Sequence, residues 1–140
     1  MSFREKSAWA MSLILTIAGI YYFRKVTGLS QALGETAPPV IGFVIAYVIL
    51  VVIASIILMS ALAMSAGTDA DAPADEREKI IQDKAGHWSG YILAVGIFAG
   101  LLNYSVSFDG NLLFHIAFAS LMLSQIGEYV LQIILYRRGV

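Results

Sequence analysis

Glu128 is the residue of this chain best equipped for chemistry. It is the single charge in residues 110–136. Ser124, Gln125 and Gln132 share nearly the same helical face with it, at spacings of three and four. It lies eight residues before Tyr136, the end of an apolar run. That is roughly 12–14 Å along a helix axis. An ionisable side chain at such depth in hydrocarbon is costly, and it turns toward a bundle interior or an aqueous cavity. A carboxyl flanked by amides and a hydroxyl suits a proton- or cation-exchanging site, with Gln125 and Gln132 as donors. The competing reading is structural: a carboxyl hydrogen-bonded between helices, or tilted toward the headgroups beside Arg137. A wet cavity around Glu128 favours exchange, and a lipid-facing or sealed carboxyl favours structure.

The other chemically capable residues point to no reaction. His87 opens the third apolar run and His115 lies one turn into the fourth. In an up-and-down arrangement most of a bilayer separates them, so they form no shared metal or haem site. The chain has no cysteine, which removes disulfides, thiolate catalysis and Cys-ligated metal. No cluster of nucleophile, base and metal ligands appears, so the chain reads as a non-enzyme with no cofactor and no metal. Its net charge of −1 lacks the basic footprint of a nucleic-acid binder.

These residues are carried by four apolar runs. Residues 7–23, 36–68 and 85–108 contain no Asp, Glu, Lys or Arg. Crossing a bilayer takes about 20 such residues. Hydrophobic residues make up 59% of the 140 and charged residues only 14%, with a mean hydropathy of +0.77. The fold class is therefore all-α: a four-transmembrane-helix bundle forming one integral membrane domain over residues 1–140. The expected spans are 7–23, 39–65, 85–106 and 111–136, with a polar loop at 66–84. Residues 24–38 read as a connection, since Thr27-Gly28 and Gly34 are turn signals. Asp109-Gly110 makes the turn between the last two spans.

Arg24 and Lys25 directly follow the first run, and the small-x-small site Ala32-Leu33-Gly34 lies well beyond it. That run therefore reads as a retained span and not a cleaved signal. With both termini inside, seven Lys and Arg face the cytoplasm (Arg4, Lys6, Arg77, Lys79, Lys84, Arg137 and Arg138) and two face out. The positive-inside rule thus predicts an N-in, C-in multi-pass protein of the plasma (inner) membrane.

Two further features concern assembly. Gly86, Gly90, Ala94, Gly96 and Gly100 form a broad face of small residues on the third span, suited to close helix packing. Asp75, Glu76, Arg77, Glu78 and Lys79 start a short cytoplasmic amphipathic helix leading without a break into that span. Acids crowd its first turn, where the helix dipole favours them. Lys79 has i,i+4 partners in Asp75 and Asp83. Most of this segment reads as a solvated helix start, and a docking surface for a cytoplasmic partner is the alternative.

The run Asp75-Glu76-Arg77-Glu78-x-Ile80-x-x-x-Lys84-Ala85, leading into a span, resembles an acidic-basic motif of small uncharacterised multi-pass proteins of bacteria and archaea. It covers eleven residues. That group has no established activity, so the resemblance implies a prokaryotic inner-membrane protein and no site residue. Two functions remain. One is a structural or accessory protein that assembles with itself or a membrane-protein partner in the bilayer. The other is a small oligomeric proton-coupled transporter using Glu128. The sequence favours the first, because it needs no special chemistry.

Overall fold

The structure is a computed structural model, and it describes residues 1–139. Helix accounts for 88% of it. Helix α1 spans Phe3–Leu33, α2 Ile41–Ala66, α3 Glu76–Ser107 and α4 Gly110–Arg138, with a single 3₁₀ turn at Gly67–Ala70 between α2 and α3. Three of the helices, α2, α3 and α4, are long and apolar enough to cross a membrane. α1 is not among them, because its uncharged stretch is short and bounded by Arg4, Glu5 and Lys6 before and Arg24 and Lys25 after.

α1 differs most from the sequence expectation. It runs ten residues past Phe23, through the stretch that reads as a connection. Gly28 costs a helix only about 1 kcal/mol relative to Ala, which tertiary contacts easily offset. Those contacts come from Val26, which is buried with Tyr22, Ala37 and Met122. The helix stops at Gly34, whose φ of 71° is left-handed and whose N–H donates to the Ser30 carbonyl at 2.9 Å. Glycine reaches that conformation without steric penalty. At the other end, the Ser2 hydroxyl accepts the Glu5 N–H at 3.2 Å and caps the first turn.

The start of α3 follows from its own residues. Asp75 accepts the Glu78 N–H at 2.6 Å, and the Glu78 carboxylate reaches back to the Asp75 N–H at 3.4 Å. This reciprocal capping box satisfies two donors that a helix start otherwise leaves open. From there α3 continues unbroken for 32 residues. Phe108, at a φ of 54°, ends it with its N–H on the Tyr104 carbonyl. Asp109 then caps α4 by accepting the Leu112 N–H at 3.0 Å. Two residues thus reverse the chain.

The helices pack in the spatial order α2, α1, α4, α3. The bundle is two antiparallel hairpins joined along one seam between α1 and α4. The closest packing is within α3 and α4. A methyl at Gly96 would overlap the Ser120 hydroxyl and lie 2.6 Å from its Cβ, and one at Gly100 would meet Ile116 Cγ2 at 3.0 Å. On α4, Gly127 gives the same clearance to Ile92, at 2.6 Å. Small residues therefore let these backbones approach. α2 packs mainly on α1, with its Tyr47 ring also reaching Phe118 of α4, and none of its residues is buried.

Candidate polar cavity at the terminal end

The two termini share one end of the bundle, where the Arg137 guanidinium lies 3.9 Å from the Glu5 carboxylate and over the Trp9 ring. Just inside this end is a cavity of about 330 Å³. Its wall draws on all four helices. α1 supplies Phe3, Arg4, Ser7, Ala8 and Met11; α2 supplies Met59; α3 supplies Gln82; and α4 supplies Glu128, Tyr129 and Gln132. Half of these residues are polar.

Glu128 is half-buried and lines the cavity. Gln132 is buried and donates its amide to Glu128 Oε1 across 3.5 Å, a long bond. The other two expected neighbours lie elsewhere. Ser124 is buried, but its hydroxyl donates to the Ser89 carbonyl of α3 at 2.8 Å and serves the hairpin. Gln125 is exposed and outside the cavity wall. Its angular position resembles that of Gln132. The difference is cover: Ser7 and Ala8 of α1 share the cavity with Gln132, whereas Gln125, two turns away, is exposed. Sequence angle alone could not separate the two.

Arg4 is the residue that sequence reasoning valued only for its charge count. Its Nε lies 2.9 Å from Glu78 Oε2, and its Nη2 donates to the Ala72 carbonyl at 3.2 Å. It therefore pins the start of α1 to the start of α3. Among the described residues no cation lies within ion-pair distance of Glu128. An antiparallel register would have flagged Arg4 and Ser7, since the first turns of α1 must lie opposite the last turns of α4. Next to this cavity is a smaller one of about 250 Å³, which shares Phe3 and Arg4 and adds Asp69, Asp75 and Glu78.

The acidic-basic segment is largely occupied within the chain. Asp75 caps α3, Glu78 holds Arg4, and the Arg77 guanidinium donates to the Tyr136 carbonyl at 3.1 Å. Lys79 pairs with Glu76 at 3.2 Å, one turn back, in place of the i,i+4 partners Asp75 and Asp83. The helix face outward from the bundle carries this last pair, with both side chains largely exposed.

The five small residues of α3 divide between two environments. Gly96 and Gly100 face α4, whereas Gly86 and Gly90 have open space where a methyl would go, and Ala94 is exposed. Steps of four rotate the face by about 40° each, so Gly90 and Ala94 turn away from α4 while Gly96 and Gly100 return to it.

The histidines lie far apart in role. His87 is exposed and edge-on to Tyr91. His115 is buried at the distal end, and its Nε2–H donates to the Ala37 carbonyl at 2.8 Å. Ser30 accepts the Ala37 N–H and Asn111 donates to the Thr36 carbonyl, so loop 34–40 is strapped to α1 and α4. Around it Tyr22 stacks edge-on with Phe118 at 4.7 Å, and Tyr47 with Phe118 at 5.4 Å. Among the described residues no group of three or more His, Asp or Glu converges in a way that could hold a metal.

The chain matches no protein-family model, no curated protein and no solved structure.

Proposed function

We propose that this is a small membrane transporter whose working site is the Glu128 cavity, a proton- or cation-exchange site open toward the cytoplasm. One observation carries the reading. The only charged residue of the fourth apolar run lines a cavity of about 330 Å³ among all four helices, with no ion-pair partner among the described residues. Membrane-buried carboxyls of this kind mark proton and ion pathways. In this reading α1 is the fourth span, because it lies between α2 and α4 within the bundle. The terminal end, with seven of the nine Lys and Arg, faces the cytoplasm. The test is dissipation of a pH gradient in reconstituted vesicles. Glu128→Gln is expected to abolish it, and an unchanged flux would overturn the proposal.

Assembly remains the second reading, and α2 is the observation in its favour. A 26-residue helix without one buried residue can give its whole outer surface to lipid or to another protein. Gly90, facing open space on α3, supplies a second contact face. Gly90→Leu leaves the chain's own packing intact, so it should lower the oligomer mass in mild detergent if that face assembles. An identical mass would count against it.

A further inference from the structure

The chemistry of the cavity wall selects a class of occupant. This step rests on the Glu128 cavity being the working site. We infer that the cavity binds a small protonated organic amine, an ammonium group on a compact apolar body.

Charge comes first. Arg4 is the one cation among the lining residues, and its guanidinium is committed to Glu78 and the Ala72 carbonyl. Glu128 accepts one long hydrogen bond and has no cationic partner among the described residues. By formal charge, Glu128 and the Glu78 that pairs with Arg4 outnumber that guanidinium by one. A monocation balances that group, and an anion would meet the Glu128 carboxylate with no uncommitted cation in the wall. The adjoining cavity strengthens the bias, because Asp69, Asp75 and Glu78 line it and Arg4 is again its one cation. A recess lined by one sign of charge raises the local concentration of the opposite ion.

The ligand atoms argue against a metal. A hard cation needs six or more oxygens at roughly 2.0–2.6 Å, or several retained waters. The lining offers one carboxylate, two amide oxygens and the hydroxyls of Ser7 and Tyr129, spread around about 330 Å³, and among the described residues no three His, Asp or Glu converge there. That space suits a small organic molecule better than a bare ion. An ammonium needs only three acceptors. Glu128 supplies one, Gln82 and Gln132 have carbonyl oxygens, and Ser7 keeps a lone pair after donating to the Phe3 carbonyl.

The remaining wall suits the body of such a ligand. Phe3 and Tyr129 present rings that attract an adjacent cation. Met11 and Met59 are flexible and polarizable, and they adapt to varied apolar shapes. An amine thus finds its charge, its donors and its hydrocarbon matched along one half-open recess.

The experiment is calorimetric titration of the full chain in phosphatidylcholine nanodiscs. The probes are 2-phenylethylammonium, its neutral isostere 2-phenylethanol and the anion 3-phenylpropionate, with empty nanodiscs subtracted. The ammonium should bind saturably and at least ten-fold more tightly than either analogue. Glu128→Gln should weaken it at least ten-fold, and Gln125→Ala, outside the wall, should leave it unchanged. Met59→Trp fills the cavity from α2 without touching a charge and should also displace the amine. Equal binding of amine and alcohol, preference for the anion, or indifference to both Glu128→Gln and Met59→Trp would each overturn the inference. Vesicle flux read alongside keeps the two claims apart. Loss of proton flux in Glu128→Gln without amine binding removes the ligand class and leaves the exchange site. Amine binding with unchanged proton flux does the reverse.

Discussion

The two ends of the bundle are built on opposite plans. At the distal end, Tyr22, Tyr47 and Phe118 interlock, and loop 34–40 is strapped down by His115, Ser30 and Asn111. At the terminal end, ion pairs tie the start of α1 to the start of α3 and to the end of α4 around a polar recess. One end spends its polar groups on closing the fold. The other leaves a carboxyl without an ionic partner among the described residues, beside open volume. Larger recesses, of about 530 and 420 Å³, run along Thr27, Gly28 and Gln31 at the distal end, so the ends differ in what lines the space: only the recess at the terminal end draws on all four helices and includes Glu128.

Substitutions can break or sharpen this contrast. Tyr22→Ala should have the largest effect. Tyr22 is 1% exposed at the centre of the aromatic cluster, and truncating such a ring costs about 3–5 kcal/mol. A thermal unfolding series in detergent reads it. Tyr22→Phe should be nearly neutral, because the phenol has no hydrogen-bond partner among the described residues to lose.

His115→Ala comes next. It strands a buried carbonyl at Ala37, a loss of about 1–3 kcal/mol. Hydrogen exchange in loop 34–40 should accelerate while the terminal end stays protected. Equal acceleration at both ends would dissolve the distinction.

Arg4→Gln, at the terminal end, should cost less than about 1 kcal/mol, since its pair with Glu78 is partly exposed. High salt should erase most of that difference between wild type and variant. A loss as large as that of Tyr22→Ala would mean that the terminal end is a second core.

The smallest effect is a pH dependence at the distal turn. The Asp109 carboxyl is held below its usual range, first by the Leu112 N–H it accepts, then by Thr36, the Asn111 N–H and His115. The folded chain therefore binds this proton less readily than the unfolded one. The stabilisation is full above the ordinary carboxylate range and is lost as pH falls through the depressed value. Asp109→Asn should flatten that acid limb of the melting profile and leave the neutral limb unchanged.

Much of this contrast was readable from residue order, and the rest depended on contacts. Three of the apolar runs became helices long enough to span a bilayer, because hydrocarbon length and the absence of charge are local properties. The acid-rich start of α3 and the turn at Asp109 are local for the same reason: each cap is made within three residues. Glu128 stood out by being alone. What failed was whatever depended on cover. Thr27-Gly28 looks like a turn until Val26 is packed beneath Tyr22 and Ala37. Gln125 and Gln132 are equivalent on a helical wheel and opposite in the bundle. Lys79 chose Glu76 among nearby acids, a choice that small energies make. Arg4 reached Glu78 across 74 residues of sequence, a partnership that only the antiparallel hairpins create.

The row of helices has a mechanical consequence. Each hairpin is closed by its own connection, and the pair meets mainly along the line between α1 and α4, with loop 34–40 and Tyr47 pinning the distal end of that line to α4. A rocking of one hairpin about that line would widen or narrow the void where Phe3, Met59, Gln82 and Glu128 converge, without unwinding a turn. The Arg4–Glu78 contact spans the two halves there, so it would act as the clasp on that movement.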